Sequence, residues 1–544
     1  MSERLPVLLQ WVLEHGIQID DSIRLVDAHS GISVISTDKT IHPATTIVFI
    51  PKSAILSARS CSLAPHIPFA PYGHDAHLAL SVAVYAELLR GSASHWYEYL
   101  QSLPARTVPL ALFWGMPGTD CDDKDGREAK LWLANSQVEK EFVTDAGTYL
   151  LDDIRNYYHS VAKPLLDRFF PNSLSGFLHA YSLVSSRAFL VDAYHGLSMV
   201  PIADAFNHIT ENHVHLESDF DVCPICGSLG ECPHDKDEQL EAAQSALNIS
   251  TSAIPAVDRL NSDTCEMVAN RHILPHSEIY NTYGSHLSNA ALLARYGFAL
   301  EGNENDVISW RLPVDIVHTA GDLRLSSASF MDLFFSFVKE WSRGSSSMIL
   351  EESSLVYQPS FEELERQEAS TGSQSRTALC INSDAQISVH LWLLAALHCI
   401  VNDDRLASAY LETVADGSIG ARWKDVRSAA RILVQAMQEQ VRMERLLVAD
   451  DEDDDVGEKL VGSEQALMLL KNIAQEICSL CNQRAAIIGK RPDLSVAELG
   501  ELFDELDDSW PKTRLAVTQV ILERSLLESC AASWQELGGA ITDD

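Results

Sequence analysis

The chain has 544 residues, more than the roughly 100–200 of one ordinary domain, so its length predicts two to four compact units. Its 46% hydrophobic and 22% charged residues exclude a disordered or fibrous protein. A net charge of −37, from 40 Lys and Arg against 77 Asp and Glu, argues against direct nucleic-acid binding, because phosphates are bound by clustered cations.

The first 300 residues alternate between strand and helix signals. Residues 23–57 are rich in Ile, Val, Ser and Thr, which favours strands. Residues 77–178 have the apolar spacing of helices and predict a helical insertion. Strand-like pieces return over residues 186–298, interrupted by a loop near residues 221–255. This order predicts an α+β fold of small sheets that is split by insertions.

Beyond residue 305 the apolar spacing is helical almost throughout, as in residues 389–401, 464–484 and 514–528. We therefore predict one domain over residues 1–305 and an all-α domain over residues 306–544. Within the latter, Cys478 and Cys481 lie in a helical pattern with no second cysteine pair nearby, and we interpret them as core residues.

The remaining bulk features concern location and partners. Eleven scattered cysteines indicate reduced thiols or a metal site rather than disulfides. No apolar run reaches the ~20 residues of a membrane-spanning helix, and the first residues lack the pattern of a signal peptide. We expect an intracellular protein of the cytoplasm, the nucleus or both, without membrane contact. The negative charge suits a basic protein partner, although acidity that only keeps the protein soluble explains it equally well.

Three clusters place polar and aromatic residues beside predicted strands. They are residues 186–189 (Ser-Arg-Ala-Phe), residues 199–208, which end in Asp204, Asn207 and His208, and residues 279–298, which include Tyr283, Tyr296 and Phe298. Each cluster alone has a simpler explanation as a turn, a strand end or core. Their joint occurrence in this order is what points to a functional site.

Together the clusters resemble the SET-domain protein methyltransferases, in the branch typified by Rubisco large-subunit methyltransferase. Fainter similarity extends upstream to Gly31, to residues 96–104 and to residues 132–137, so the resemblance covers most of residues 20–300. It implies a SET-type β fold of small sheets with a threaded, pseudoknot-like C-terminal segment and a helical insertion. It also implies that the all-α C-terminal domain binds the protein substrate.

The resemblance further implies a role for each matching residue. S-adenosyl-L-methionine would be held by Gly31, Ser186, Arg187, Asn207, His208 and Tyr283, and Tyr283 would also be the catalytic tyrosine. Asp204, Tyr296 and Phe298 would line the substrate channel. The chemistry fits these residue types, because methyl transfer to an amine needs positioning and a desolvated channel that favours the neutral amine.

The resemblance therefore implies a protein-lysine N-methyltransferase that acts on a non-histone, basic protein such as a ribosomal protein. Two alternatives stay open. Some members of the wider family methylate histidine, and a SET-fold protein without turnover would act as a scaffold. The sequence leaves the oligomeric state open.

A possible metal site follows the second cluster. Cys223, Cys226, Cys232 and His234 lie within a dozen residues, with prolines and a glycine suited to a tight knuckle over residues 221–235. Three thiolates and one imidazole are a usual set for structural Zn²⁺. The sequence predicts a zinc knuckle, and the alternative is a polar loop with free cysteines.

Overall fold

The computed structural model describes the chain in segments, which cover residues 4–28, 31–144, 147–219, 221–230, 232–234, 263–310, 325–343, 347–360, 378–413, 419–448 and 463–541. The chain forms two compact units. Unit 1 comprises Met1–Asp123, Leu150–Leu287 and Leu292–Leu300, and unit 2 comprises Lys124–Tyr149, Ser288–Ala291 and Glu301–Asp544.

The described strands are short. In chain order they are β1 Gln18–Ile19, β2 Ile23–Ala28, β3 Gly31–Ser36, β4 Thr46–Pro51, β5 Leu56–Ser57, β6 Ala188–Leu190, β7 Leu197–Met199, β8 Val214–Ser218, β9 Thr264–Ala269, β10 Ile308–Ser309, β11 Val356–Tyr357, β12 Cys380–Ile381, β13 Ile387–Ser388, β14 Leu411–Thr413 and β15 Ile419–Trp423.

The described helices are longest near the C-terminal end of the chain. They are α1 Arg4–Glu14, α2 Gly73–Arg90, α3 Tyr97–Ser102, α4 Lys124–Trp132, α5 Gln137–Lys140, α6 Leu150–Tyr157, α7 Lys163–Leu166, α8 Leu174–Arg187, α9 Asn289–Arg295, α10 Ser327–Trp341, α11 Ser347–Leu350, α12 Val389–Asn402, α13 Asp404–Tyr410, α14 Val426–Val448, α15 Glu464–Ala485, α16 Val496–Glu505 and α17 Pro511–Ala540. No helix in these segments has the length and apolar composition needed to cross a membrane.

Unit 1 is built from three small sheets, as the sequence predicts. One has the strand order β1-β4-β9-β8, one is the β2–β3 hairpin, and one has the order β5-β7-β6, all with antiparallel pairing. The β-branched residues that predicted strands fill its core, where Val34, Ile47 and Ile50 are fully buried.

Helices α2 and α8 form the predicted helical insertion in unit 1. Residues 138–170 of this insertion also favour helix in the sequence, but they do not form one continuous helix. They consist of the short helices α5, α6 and α7 with a π-helical turn, Tyr158–Ala162, before α7. Gly147, with φ of 78°, interrupts the pattern between α5 and α6.

Unit 2 is mainly helical, as predicted, but it is not all-α. Four strands form a sheet in the order β10-β12-β13-β11, and β14 pairs with β15. Their strands are only two to five residues long, too short to leave a period-2 pattern between helices. The domain boundary between residues 305 and 306 stays a prediction. The compact unit 2 also includes Lys124–Tyr149.

Two carboxylates, one half-buried and one buried, bind Lys124–Tyr149 within unit 2. Asp125 accepts hydrogen bonds from the backbone N–H groups of Lys512 (2.9 Å) and Thr513 (2.8 Å), at the beginning of α17. Glu523, in the middle of α17, is 1% exposed and accepts the N–H of Gln137 at 2.9 Å. These carboxylates satisfy backbone donors that have no partner within their own helices.

In unit 1, one lysine joins the two ends of the segment between β8 and β9. The Lys52 side chain is 3% exposed, and its Nζ lies 3.2 Å from the Asp219 carbonyl oxygen and 2.7 Å from Asp263. It also forms an ion pair of 2.7 Å with the fully buried Asp192, so two carboxylates balance the buried charge of the Lys52 ammonium group.

The cap at α17 gives a stability prediction. Asp125→Ala should lower the free energy of unfolding of unit 2 by about 1–2 kcal/mol, because two N–H groups lose their acceptor. Urea denaturation, with hydrogen exchange of peptides from α17, measures this. Glu501→Ala, at an exposed position of α16, is the matched control, with an expected change below about 0.5 kcal/mol. Equal unfolding of both variants would show that the cap contributes nothing.

Candidate functional site

The second and third clusters of the sequence are joined by backbone hydrogen bonds. The Asn281 N–H donates to the Asn207 carbonyl oxygen at 2.8 Å, and the Ile209 N–H donates to the Asn281 carbonyl oxygen at 3.0 Å. This is a parallel bridge between segments more than 70 residues apart. It brings the candidate cofactor segment and Tyr283 to one place.

His208 supports Tyr283 from behind. Its ring stacks on Tyr283 at 5.1 Å between centroids, and its Nδ1 accepts the Tyr283 N–H at 3.0 Å. Burial lowers the pKa of His208 to about 4, so the imidazole is neutral at pH 7 and can accept this bond. His208 is buried and does not line the cavity in front of Tyr283.

That cavity has a volume of about 390 Å³, within the usual size of small-molecule sites. Its lining includes most of the residues predicted from the sequence, which are Gly31, Ser186, Arg187, Asp204, Asn207, Tyr283, Tyr296 and Phe298. The structure therefore brings together all three clusters and the upstream glycine.

A second cavity of about 160 Å³ adjoins the first. Five residues line both cavities, namely Ser186, Arg187, Asp204, Tyr283 and Tyr296. Phe189, Leu190 and Thr282 line only the smaller cavity, whereas Phe298 lines only the larger one. The shared residues form the junction at which groups bound in the two cavities would meet.

Tyr283 lies at this junction as a neutral phenol. Burial raises its pKa to about 12, and its ring stacks on Tyr296 at 4.8 Å. Its hydroxyl lies 3.4 Å from the Phe206 carbonyl oxygen, to which it donates. Tyr283 and Tyr296 thus form an aromatic wall, and the Tyr283 hydroxyl is a polar atom held in a fixed position on it.

Ser186 and Arg187 come from the end of α8. The Ser186 Oγ donates to the Ser182 carbonyl oxygen at 2.8 Å, and the Arg187 Nη1 donates to the Ser186 Oγ at 2.6 Å. The helix thus directs one cation towards the junction of the two cavities.

Asn207 is oriented by two residues that the sequence analysis missed. Its Nδ2 donates to Glu278 at 2.7 Å and to the Ser33 hydroxyl at 3.2 Å. The Tyr280 hydroxyl donates to the second Glu278 oxygen at 3.0 Å. Both contacts join residues far apart in sequence, so no local pattern in the sequence indicates them.

Asp204 is held by a residue of the matching segment 96–104 to which the sequence analysis assigned no role. The hydroxyl of Tyr99, on α3, donates to Asp204 Oδ2 at 2.7 Å. Ile202, two residues before Asp204, has φ of 73°, which is a strained conformation for a β-branched residue. Burial raises the pKa of the Asp204 carboxyl to about 6.

The four predicted metal ligands also meet. One ligand atom from each of Cys223, Cys226, Cys232 and His234 lies within 4.8 Å of all the others. The His234 Nδ1 is 3.7 Å from the Cys223 Sγ and 3.6 Å from the Cys232 Sγ. Tetrahedral Zn²⁺ places sulfur and nitrogen ligands about 3.4–3.8 Å apart, so the set fits this ion.

Neighbouring residues of unit 1 support this knuckle. Arg59 donates to the Ile225 carbonyl oxygen at 3.4 Å, and its guanidinium lies over the Tyr194 ring. A Cβ on Gly227 would lie only 2.9 Å from the same ring, so a larger residue there would clash with Tyr194.

Residues 231 and 235 of the predicted knuckle lie outside the described segments, and so does His29, two residues before Gly31.

Comparisons with known proteins give similarity in sequence and in fold. No protein-family model matches the chain. Over 321 residues it is 26% identical to ribosomal lysine N-methyltransferase 3 of Saccharomyces cerevisiae, which covers 48% of this chain and 56% of that protein. Over 347 residues it is 23% identical to an uncharacterized protein of Schizosaccharomyces pombe, covering 57% and 62%. The chain thus spans less than two thirds of either relative.

Two similar solved structures are the SET domain of LSMT bound to lysine and AdoHcy, and Rubisco LSMT bound to AdoMet. The first has a TM-score of 0.57 at 15% identity and covers 98% of this chain and 92% of that one. The second has a TM-score of 0.56 at 15% identity, with 99% and 93% coverage. The chain therefore has the SET-type fold of LSMT with a helical C-terminal region, and the resemblance stated from the sequence is confirmed.

The buried His208 gives a pH prediction. Its folded pKa of about 4 lies below the ordinary 6.5, so its contribution to stability is complete above pH 6.5 and is lost as the pH falls towards 4. Between pH 7 and pH 4, wild type should lose roughly 3 kcal/mol more unfolding free energy than His208→Asn, whose side chain does not titrate. Denaturant unfolding across this range tests it, and parallel curves for both proteins would contradict it.

Proposed function

We propose that this chain is an S-adenosyl-L-methionine-dependent protein-lysine N-methyltransferase that acts on a non-histone, basic protein such as a ribosomal protein. The observation that carries this proposal is that two cavities meet at Tyr283, and that each cavity also has lining residues which the other lacks. The similarity to a ribosomal lysine methyltransferase and to LSMT structures bound to AdoMet or lysine supports the same conclusion. The net charge of −37 favours the basic partner, and unit 2 is the proposed substrate-binding part.

The larger cavity is the proposed cofactor site. Gly31, Ser186, Arg187 and Asn207 line it and offer backbone and side-chain polar groups to an amino-acid end. Phe298 lines this cavity only, so we assign it to the cofactor rather than to the substrate channel. His208 acts indirectly, through its bond to the Tyr283 N–H. When bound, S-adenosyl-L-methionine supplies a methyl group on a sulfonium sulfur.

The smaller cavity is the proposed acceptor channel. Phe189, Tyr283 and Tyr296 give it aromatic walls that suit the aliphatic stem of a lysine, and Asp204 supplies a counter-charge for the ammonium. Tyr283 is the proposed catalytic tyrosine. Because its pKa is about 12, its oxygen remains protonated and does not compete with the amine as a nucleophile.

Tyr283→Phe tests the proposed role of the hydroxyl. Methyl transfer should fall about 100-fold or more, because one fixed polar atom at the junction is lost. Labelled S-adenosyl-L-methionine and ribosomal proteins from a Saccharomyces cerevisiae strain lacking ribosomal lysine N-methyltransferase 3 provide the assay. Calorimetry should show cofactor affinity changed by less than about threefold, whereas Asn207→Ala should weaken it about tenfold.

Analysis of the labelled amino acid separates the remaining possibilities. Methyl-lysine is the expected product, and methylhistidine would replace the lysine assignment. Cofactor binding without any labelled protein would favour a scaffold. An unchanged rate in Tyr283→Phe would remove the role assigned to this hydroxyl.

We also propose that Cys223, Cys226, Cys232 and His234 bind a structural Zn²⁺. Their spacing suits a tetrahedral ion, and the Arg59 and Tyr194 contacts hold the loop in place. Because the knuckle follows Asn207-His208 in the chain, its loss should also loosen the cofactor site.

Metal analysis tests this site. The purified protein should contain about one zinc per chain, and Cys223→Ser or Cys226→Ser should remove most of it, since a site with three ligands binds far more weakly. Cys478→Ser, a half-buried cysteine of α15, is the control and should retain the metal. Protein prepared without chelator and found free of zinc would refute the proposal.

A further inference from the structure

Lysine methylation requires a neutral amine, whereas a lysine side chain enters as an ammonium ion. In an apolar channel an unpaired ammonium ion is strongly disfavoured. The proton must therefore leave before transfer, and the lining of the smaller cavity limits which group can take it.

Among the described residues that line the smaller cavity, Asp204 is the one carboxylate. Arg187 is a cation and has no acceptor site. Tyr283 and Tyr296 are both phenols whose pKa is raised by burial, so they carry their protons already. Asp204 also lines the larger cavity, so it lies where the amine and the methyl donor would meet.

We propose that Asp204 accepts the proton of the acceptor ammonium and that Tyr99 positions its carboxylate for this step. The inference rests on the methyltransferase function proposed above. The N–H bond of the ammonium breaks and an O–H bond forms on Asp204, leaving a neutral amine. The amine lone pair then forms the N–C bond, the C–S bond breaks with its electrons on sulfur, and the products are a methylated ammonium and a thioether. Asp204 finally returns the proton to water.

The surroundings suit Asp204 for this exchange. Burial raises the pKa of its carboxyl to about 6, which is closer to neutral pH and makes it a stronger base than an exposed aspartate. The groups that act on it electrostatically are Tyr99 on α3 and Arg187 at the end of α8, and Asp204 in turn acts on Tyr283. The two tyrosines keep their protons near pH 6, because burial raises the pKa of both phenols.

Tyr99 is a positioning residue rather than a catalytic one. It is 1% exposed, its ring stacks on Trp11 at 5.9 Å, and it does not line either cavity. Its hydroxyl fixes Asp204 Oδ2 at 2.7 Å and stabilises the ionised carboxylate. Without this bond, Asp204 would hold its proton up to a higher pH.

The experiment measures single-turnover methyl transfer between pH 5 and pH 9, with the labelled cofactor and the ribosomal proteins described above. Wild type should show a rate that rises with an inflection near pH 6. Asp204→Asn should be at least 100-fold slower at pH 7 and should lack the inflection. Tyr99→Phe should shift the inflection to higher pH and approach the wild-type rate at pH 9.

Tyr181→Phe is the matched control, because Tyr181 is also a buried tyrosine, lies on α8 outside both cavities, and should leave the profile unchanged. Calorimetry with S-adenosyl-L-methionine verifies that each variant folds and binds the cofactor. A wild-type rate and inflection in Asp204→Asn, or an unmoved inflection in Tyr99→Phe, would overturn this inference alone. Wild type that transfers no label would overturn the proposed function together with it.

Discussion

The candidate site depends on the backbone bonds that join Asn281 to residues 207 and 209. They hold two chain segments in parallel register, and this register places the Tyr283 N–H opposite His208. A shift by one residue would send alternate side chains to the opposite face. Asn207, His208 and Tyr283 would then no longer face the residues that now hold them.

Burial, more than direct charge pairing, sets the protonation of the groups at the junction. It lowers the pKa of His208, raises that of Asp204 and raises that of Tyr283. All three shifts favour the neutral form, and Arg187 remains as the fixed cation. Desolvation in an enclosed site of this kind stabilises the neutral forms of its titratable side chains relative to their charged forms.

The sequence predicted the parts of the fold that carry strong local signals. Runs of β-branched residues predicted the strands β3 and β4, and apolar residues at helical spacing predicted the helices α12 and α15. The structure has strands and helices at these positions. The strands of unit 2 were missed because strands of two to five residues are too short to show a period-2 pattern between helices. Lys124–Tyr149 is bound within unit 2 by contacts such as those of Asp125 and Glu523, whose partners are hundreds of residues away and therefore invisible in the local sequence.

The candidate site was likewise predicted from the sequence only where local patterns identify its residues. The three clusters were recognisable by resemblance, and the structure brings them to one cavity. The roles of Tyr99 and Glu278 were not recognisable, although Tyr99 lies in the matching segment 96–104, because each acts through a partner distant in sequence, Asp204 and Asn207 respectively. The backbone at Ile202 was equally hidden, since nothing in its side chain marks a positive φ.

Lys52 has a consequence for how the chain tolerates change. By binding Asp219 and Asp263, it fixes the exit from β8 and the entry to β9 at one point. The entropic cost of holding these two ends together rises only with the logarithm of the number of residues between them, so insertions that leave the predicted knuckle over residues 221–235 intact should cost little. The connection between β8 and β9 is therefore a natural position for domain insertion, because Lys52 holds its two ends together independently of its length.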